Sequence, residues 1–148
     1  MKRIAIFLIV LLLLAGCTAE PTVVDLGGKP VTYDSIEEMA DAATLIVTGK
    51  VITTDSRVNR IGDQVMSALT ISQFEITAVE KGDVQPGEVI SIWQDSAYET
   101  ESNTVYLFCG TGPMTEGEAY LLYLHPRSAG SDYYTPVSPI QAVIPTTG

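Results

Sequence analysis

The sequence predicts a mainly β domain, a small barrel of five or six strands with one short helix at its N-terminal side. Three observations predict it. Beyond residue 43, β-branched and aromatic residues gather in short runs of strand character. Turn signals such as Gly82-Asp83 and Pro86-Gly87 separate those runs. Only one stretch carries apolar residues at helical spacing.

The chain begins Met1-Lys2-Arg3, followed by the unbroken apolar run IAIFLIVLLLLA. A basic start and a run of this length match the first two regions of a secretory signal peptide. The run falls short of the roughly 20 apolar residues that cross a bilayer. It ends in Leu14-Ala15-Gly16-Cys17, which resembles the lipobox of bacterial lipoproteins. The resemblance implies cleavage between Gly16 and Cys17, a diacylglyceryl group on the Cys17 thiol and fatty acylation (palmitate-type) of the new amino terminus. One acyl chain binds a bilayer only marginally, whereas two or more hold stably. The expectation is therefore a signal peptide at 1–16, a flexible tether at 17–32, and one β domain at 33–148. The protein would sit at the cell membrane, lipid-anchored on the extracytoplasmic face.

Charge narrows the partners. The chain of 148 residues carries 8 Lys+Arg and 18 Asp+Glu, and loss of Lys2 and Arg3 with the signal leaves a net charge of −12. That sign opposes nucleic acid, which is bound through Lys and Arg on phosphates. It equally opposes polybasic attachment to anionic lipid, so membrane contact is expected through the lipid alone. With Cys17 acylated, Cys109 is the only thiol left and no intrachain disulfide can form. Cys109 lies in TVYLFCG, where a small buried hydrophobe is the expected role.

Within the domain, DSIEEMADAA at 34–43 predicts the helix. Ser35 and Glu38 have capping-box spacing, and Ile36, Met39, Ala40 and Ala43 share one face. The acidic residues opposite suit a solvated face and the helix dipole. TLIVTGKVITT at 44–54 reads as the first strand, with Gly49 marking a bulge or a close backbone approach. SRVNRIGDQ at 56–64 reads as a polar loop. The longest strand candidate, 65–82, puts Leu69 and Ile71 in one phase and Phe74, Ile76 and Ala78 in the other, predicting a bulge or bend near Ser72-Gln73.

Strands follow at 89–93, 104–109 and 118–126, with a polar loop at 94–103 carrying Asp95, Glu99 and Glu101. DYYTPV and PIQAVIP complete the set, kept at edges or ends by Pro136, Pro139 and Pro145. A bent long second strand among five or six favours an OB-like barrel. The succession ADAATLIVTGKV, VEKG, PGE and YLLYL resembles a group of uncharacterised secreted bacterial domains similar to OB folds of the netrin and metalloproteinase-inhibitor kind. Those inhibitors act through a free, disulfide-bonded N-terminal cysteine, which this chain cannot supply if Cys17 is lipidated.

Catalytic and metal patterns are thin. His125 is the only histidine, so any nucleophile would have to use it as base; a capped strand end is the expected role. Zinc wants about four Cys or His ligands, and the acidic loop 94–103 lacks the EF-hand pattern, so no metal and no cofactor are expected. GTGP at 110–113 lacks the P-loop lysine. Aromatic residues remain: Trp93, Tyr98, Tyr133 and Tyr134 are the candidate ligand-binding set, with Trp93 and Tyr106 also suited to the core. The expected function is a lipid-anchored, non-enzymatic binding or interaction module for an envelope protein or glycan. The alternatives are an envelope enzyme or enzyme inhibitor with an unrecognised site, or a structural spacer.

Overall fold

A computed structural model describes residues 18–147. The expected signal segment, its expected cleavage bond Gly16-Cys17 and the expected lipidation site lie outside the described residues.

The first element departs from the expected tether. Thr22–Asp25 form strand β1, which pairs in parallel with β6 (Thr104–Leu107), Thr22 opposite Thr104 and Asp25 opposite Leu107. All four β1 side chains are exposed, so burial leaves no period to read in the sequence. Backbone bonds hold it: the Thr22 N–H donates to Asn103 O and the Leu26 N–H to Leu107 O, both at 2.9 Å.

Helix α1 (Ile36–Ala42) starts where the capping box places it. The Glu38 N–H donates to Ser35 Oγ at 3.1 Å, and Glu38 Oε2 accepts from the Asp34 N–H at 2.9 Å. Met39 and Ala43 pack with Ile46, Tyr123, Val137 and Ala142, while Ile36, expected on the buried face, stays 64% exposed in the first turn.

A long hairpin dominates the fold. Strand β2 (Leu45–Ile61) pairs antiparallel with β3 (Gln64–Lys81) across a tight turn at Gly62 and Asp63. Most of the expected polar loop at 56–64 is therefore strand. Its alternation was hidden because the side chains turned partly inward include Ser56 beside Val58. The predicted change of phase in β3 does not occur either. Ala68, Thr70, Ser72, Phe74 and Ile76 are buried in one unbroken phase, and Leu69 and Ile71 lie half-buried on the other face. The register shift near that point falls on the partner strand, where Ile52 is extra between Val51, opposite Phe74, and Thr53, opposite Gln73. Gly49 sits beside a second shift, and a Cβ there would overlap the Glu75 carbonyl and come within 2.6 Å of the Phe74 ring.

Around this hairpin stand β4 (Val89–Gln94), β5 (Ala97–Glu99), β7 (Ala119–Pro126), β8 (Tyr133–Pro136) and β9 (Val143–Thr146). One sheet has the order β2-β3-β4-β8-β7-β9 and an additional β2–β7 pairing, so five strands are joined in a ring in which only β4–β8 is parallel. The halves of β7 pair with β9 and β8 in turn. A second sheet of three strands, β1-β6-β5, lies apart from the ring. The main core, Val47, Val51, Phe74, Ile76, Ile92, Leu122 and Leu124 among others, fills the base of the hairpin. A smaller cluster of Ala68, Ala97 and Tyr106 with Leu26, Val58 and Val65 joins its outer half to the second sheet.

Candidate functional site

Where the hairpin leaves the main core and meets the second sheet, the inner face of β2 and β3 changes from apolar to hydroxylic. Thr54, Ser56 and Thr70 stand there, opposite Tyr98 of β5, Thr100 and Glu101 of the following turn, and the loop from Gly112 to Glu116. Together with Val105 they enclose a groove of about 550 Å³. This lies within the roughly 300–1,000 Å³ of small-molecule sites.

Its floor is a directed hydrogen-bond chain. Thr70, fully buried, donates its one hydroxyl proton to Ser96 O at 2.7 Å. The 2.7 Å contact between Ser56 Oγ and Thr70 Oγ1 must then have Ser56 as donor. Ser56 Oγ in turn accepts from the Tyr98 N–H at 3.4 Å. Beside the floor, Glu116 Oε1 accepts from the Thr54 N–H at 2.7 Å and from Thr54 Oγ1 at 3.2 Å, while Oε2 has no hydrogen-bond partner among the described residues. The hydroxyls of Thr100 and Thr115 and the Glu101 carboxylate have no hydrogen-bond partner among the described residues.

The wall is braced from outside. Arg60 makes a two-pronged contact with Glu99, each prong 2.8 Å, and donates to Tyr106 Oη at 2.9 Å. Hydrogen bonds from Arg60, then from Ser102, hold the Glu99 carboxyl down to about 2. Arg60 is itself raised by the same partner and remains a cation throughout.

The four aromatic candidates divide among three places. Trp93 and Tyr133 come together on the outer face of the sheet, edge to face at 5.8 Å. The Arg127 guanidinium lies 3.8 Å over the Trp93 ring, and Trp93 Nε1 donates to Asp95 Oδ1 at 3.0 Å. This platform is therefore already stacked by a side chain of its own chain. Tyr98 stands in the groove, and Tyr134, pointing the other way from Tyr133, packs on the main core.

The other sequence candidates go separate ways. His125 Nδ1 lies 2.8 Å from the carbonyl oxygen of Pro126, which fixes the proton on Nδ1. Cys109 is not part of a strand: β6 ends at Leu107, and Cys109 occupies a turn at φ 52°, half-buried against Gly28, with its N–H donating to Gly27 O at 2.9 Å. Asp95, Glu99 and Glu101 find three different surroundings, and no group of three or more potential metal-ligating side chains occurs among the described residues. The groove residues Thr54, Ser56, Thr70, Thr115 and Glu116 escaped sequence reasoning. For Thr54, Ser56 and Thr70 the only signal was a polar stretch at the inward phase of a strand, and Thr115 and Glu116, in a loop, carried none. No protein-family model matches the chain, and no curated protein matches its sequence.

Proposed function

We propose that this is a lipid-anchored lipoprotein, held on the extracytoplasmic face of the cell membrane through Cys17, whose OB-like barrel carries a binding module without catalytic chemistry. The ring β2-β3-β4-β8-β7 supports the barrel reading, since an OB fold is a five-stranded Greek-key barrel. The address rests on the lipobox residues Leu14 to Cys17.

The observation that carries the binding reading is the groove, a polar concavity with a fixed floor and, at its rim, exposed acceptors and hydroxyls that make no hydrogen bond to the described residues. His125, the one histidine, is engaged with its own backbone and does not line the groove, so no histidine-activated nucleophile stands there. Two measurements on protein made from the full chain test this. The mass of the membrane-extracted protein should show a mature chain starting at Cys17 with a lipid-sized increment. The lipid-bearing protein should retain a partner from an envelope extract or a glycan panel. A chain starting elsewhere removes the anchor, and an empty capture removes the module.

A further inference from the structure

The groove's chemistry narrows what it can hold. No Lys or Arg lines it, while Glu101 and Glu116 do, and the chain's net charge is −10; a phosphate, sulfate or carboxylate ligand would face uncompensated repulsion. An apolar ligand would strand the Thr100 and Thr115 hydroxyls and the Glu101 carboxylate away from water. An ammonium group could satisfy the carboxylates, but it has no acceptor for the hydroxyl protons around them.

A ligand bearing many hydroxyls answers every group. Each hydroxyl gives one proton, which acceptor-only Glu101 and Glu116 Oε2 can take, and keeps lone pairs for the protons of Thr100 and Thr115. Tyr98, 40% exposed, holds its ring at the groove, with its hydroxyl fixed by Asn103 Oδ1 at 2.8 Å. The floor needs no rearrangement, because Ser56 and Thr70 already have their partners.

We infer that the groove takes an uncharged saccharide, its hydroxyls read by Glu101, Glu116, Thr100 and Thr115 and its ring placed against Tyr98. This rests on the reading of the groove as a ligand seat, and names the ligand's class.

The test uses the lipid-bearing protein in detergent against a panel of neutral, anionic and amine-bearing saccharides, each offered free and as a lipid head group. Titration calorimetry follows on the saccharides retained. The wild type should bind at least one neutral saccharide, in either presentation, and prefer it to anionic and amine-bearing analogues. Thr115→Phe, which fills the groove from an exposed loop position, should abolish that binding, and Glu101→Gln should weaken it by about tenfold. Both variants should keep the wild-type far-ultraviolet spectrum and melting temperature. Preference for an anionic or amine-bearing ligand would overturn the saccharide class, as would saccharide binding that survives Thr115→Phe. If Thr115→Phe abolishes capture of an envelope protein while no saccharide binds, the class falls and the binding module stands. If the variant changes no interaction of the chain, both fall.

Discussion

Tyr98 Oη donates to Asn103 Oδ1 at 2.8 Å, and through that residue the wall of the groove is tied to the segment that leads into β1. Asn103 Nδ2 donates to Ala19 O at 3.1 Å, and Asn103 O accepts from the Thr22 N–H at 2.9 Å. Asn103 holds φ 48°, a left-handed conformation that asparagine tolerates better than most residues. One residue, through its side chain and its carbonyl, thus joins the segment entering β1, the β5–β6 turn and the groove. With Cys17 lipidated as proposed, only residues 18–21 would separate lipid from β1, about 14 Å when fully extended. The domain would then ride close to the bilayer, where a sixteen-residue tether would have held it away.

Asn103→Gly keeps the backbone conformation and removes the side chain's hydrogen bonds with Tyr98, Ala19 and Glu20. It should cost about 1 kcal/mol of stability. Amide exchange at Val23, Val24 and Asp25 should accelerate well beyond that at β7. Unchanged exchange in β1 would show that the backbone pairing with β6 holds the segment without Asn103.

Glu99 gives the protein an acid-sensitive brace. Its carboxyl is held down to about 2, first by hydrogen bonds from Arg60 and then from Ser102. A carboxyl lowered by folding contributes stability that is complete above its unfolded value, near 4.5, and is lost as the pH falls toward about 2. Arg60 keeps its charge over that range, so the titration belongs to the acid. Denaturant midpoints of wild type and Glu99→Gln should differ most at pH 6–7, and the gap should close between about pH 4.5 and 2. A gap of constant size down to pH 2 would contradict the assignment.

How far the fold was legible follows from what each segment buries. Ser35 and Glu38 announced the helix start because a cap is a local contact between residues three apart. The main strands were legible where apolar side chains face the core, as at Val47, Ile76, Ile92 and Leu122. Legibility ended at the groove. Leu69 and Ile71 were placed inward on hydrophobicity, yet Thr70 and Ser72 occupy the inside of β3 and the two apolar residues lie half-buried outside. Strand β1 was invisible for the complementary reason that it buries no side chain. Trp93, Tyr98, Tyr133 and Tyr134 read as one set in the sequence, whereas the stacking of Trp93 with Tyr133 alone, under Arg127, 34 positions along the chain, could come only from the fold.

Gly49 is where the hairpin's crossing tolerates no side chain. A Cβ would meet the Glu75 carbonyl and the Phe74 ring, and neither can move freely, since Phe74 is fully buried in the main core. Gly49→Ala should therefore lower stability by about 3 kcal/mol, the upper range for overpacking. Chemical denaturation would read this as a lower midpoint at unchanged slope. A loss below 0.5 kcal/mol, roughly that of a neutral surface change, would mean that the strands separate there at little cost.

The two buried hydroxyls of β3 should behave oppositely when removed, although Thr70 and Ser72 are both fully buried and share one face. Thr70 links the Ser56 hydroxyl to Ser96 O, so Thr70→Val keeps the shape and leaves a buried carbonyl and a hydroxyl without their partner. An unmet buried group costs about 1–3 kcal/mol. Ser72 Oγ has no hydrogen-bond partner among the described residues, so Ser72→Ala removes a desolvated polar group and breaks no protein contact. It should leave stability unchanged or raise it by up to about 1 kcal/mol. Thermal unfolding of the two variants side by side decides the matter, because the substitutions remove similar atoms at neighbouring inward positions. Equal losses would mean that burial alone sets their cost, and the directed chain in the groove floor would lose its energetic meaning.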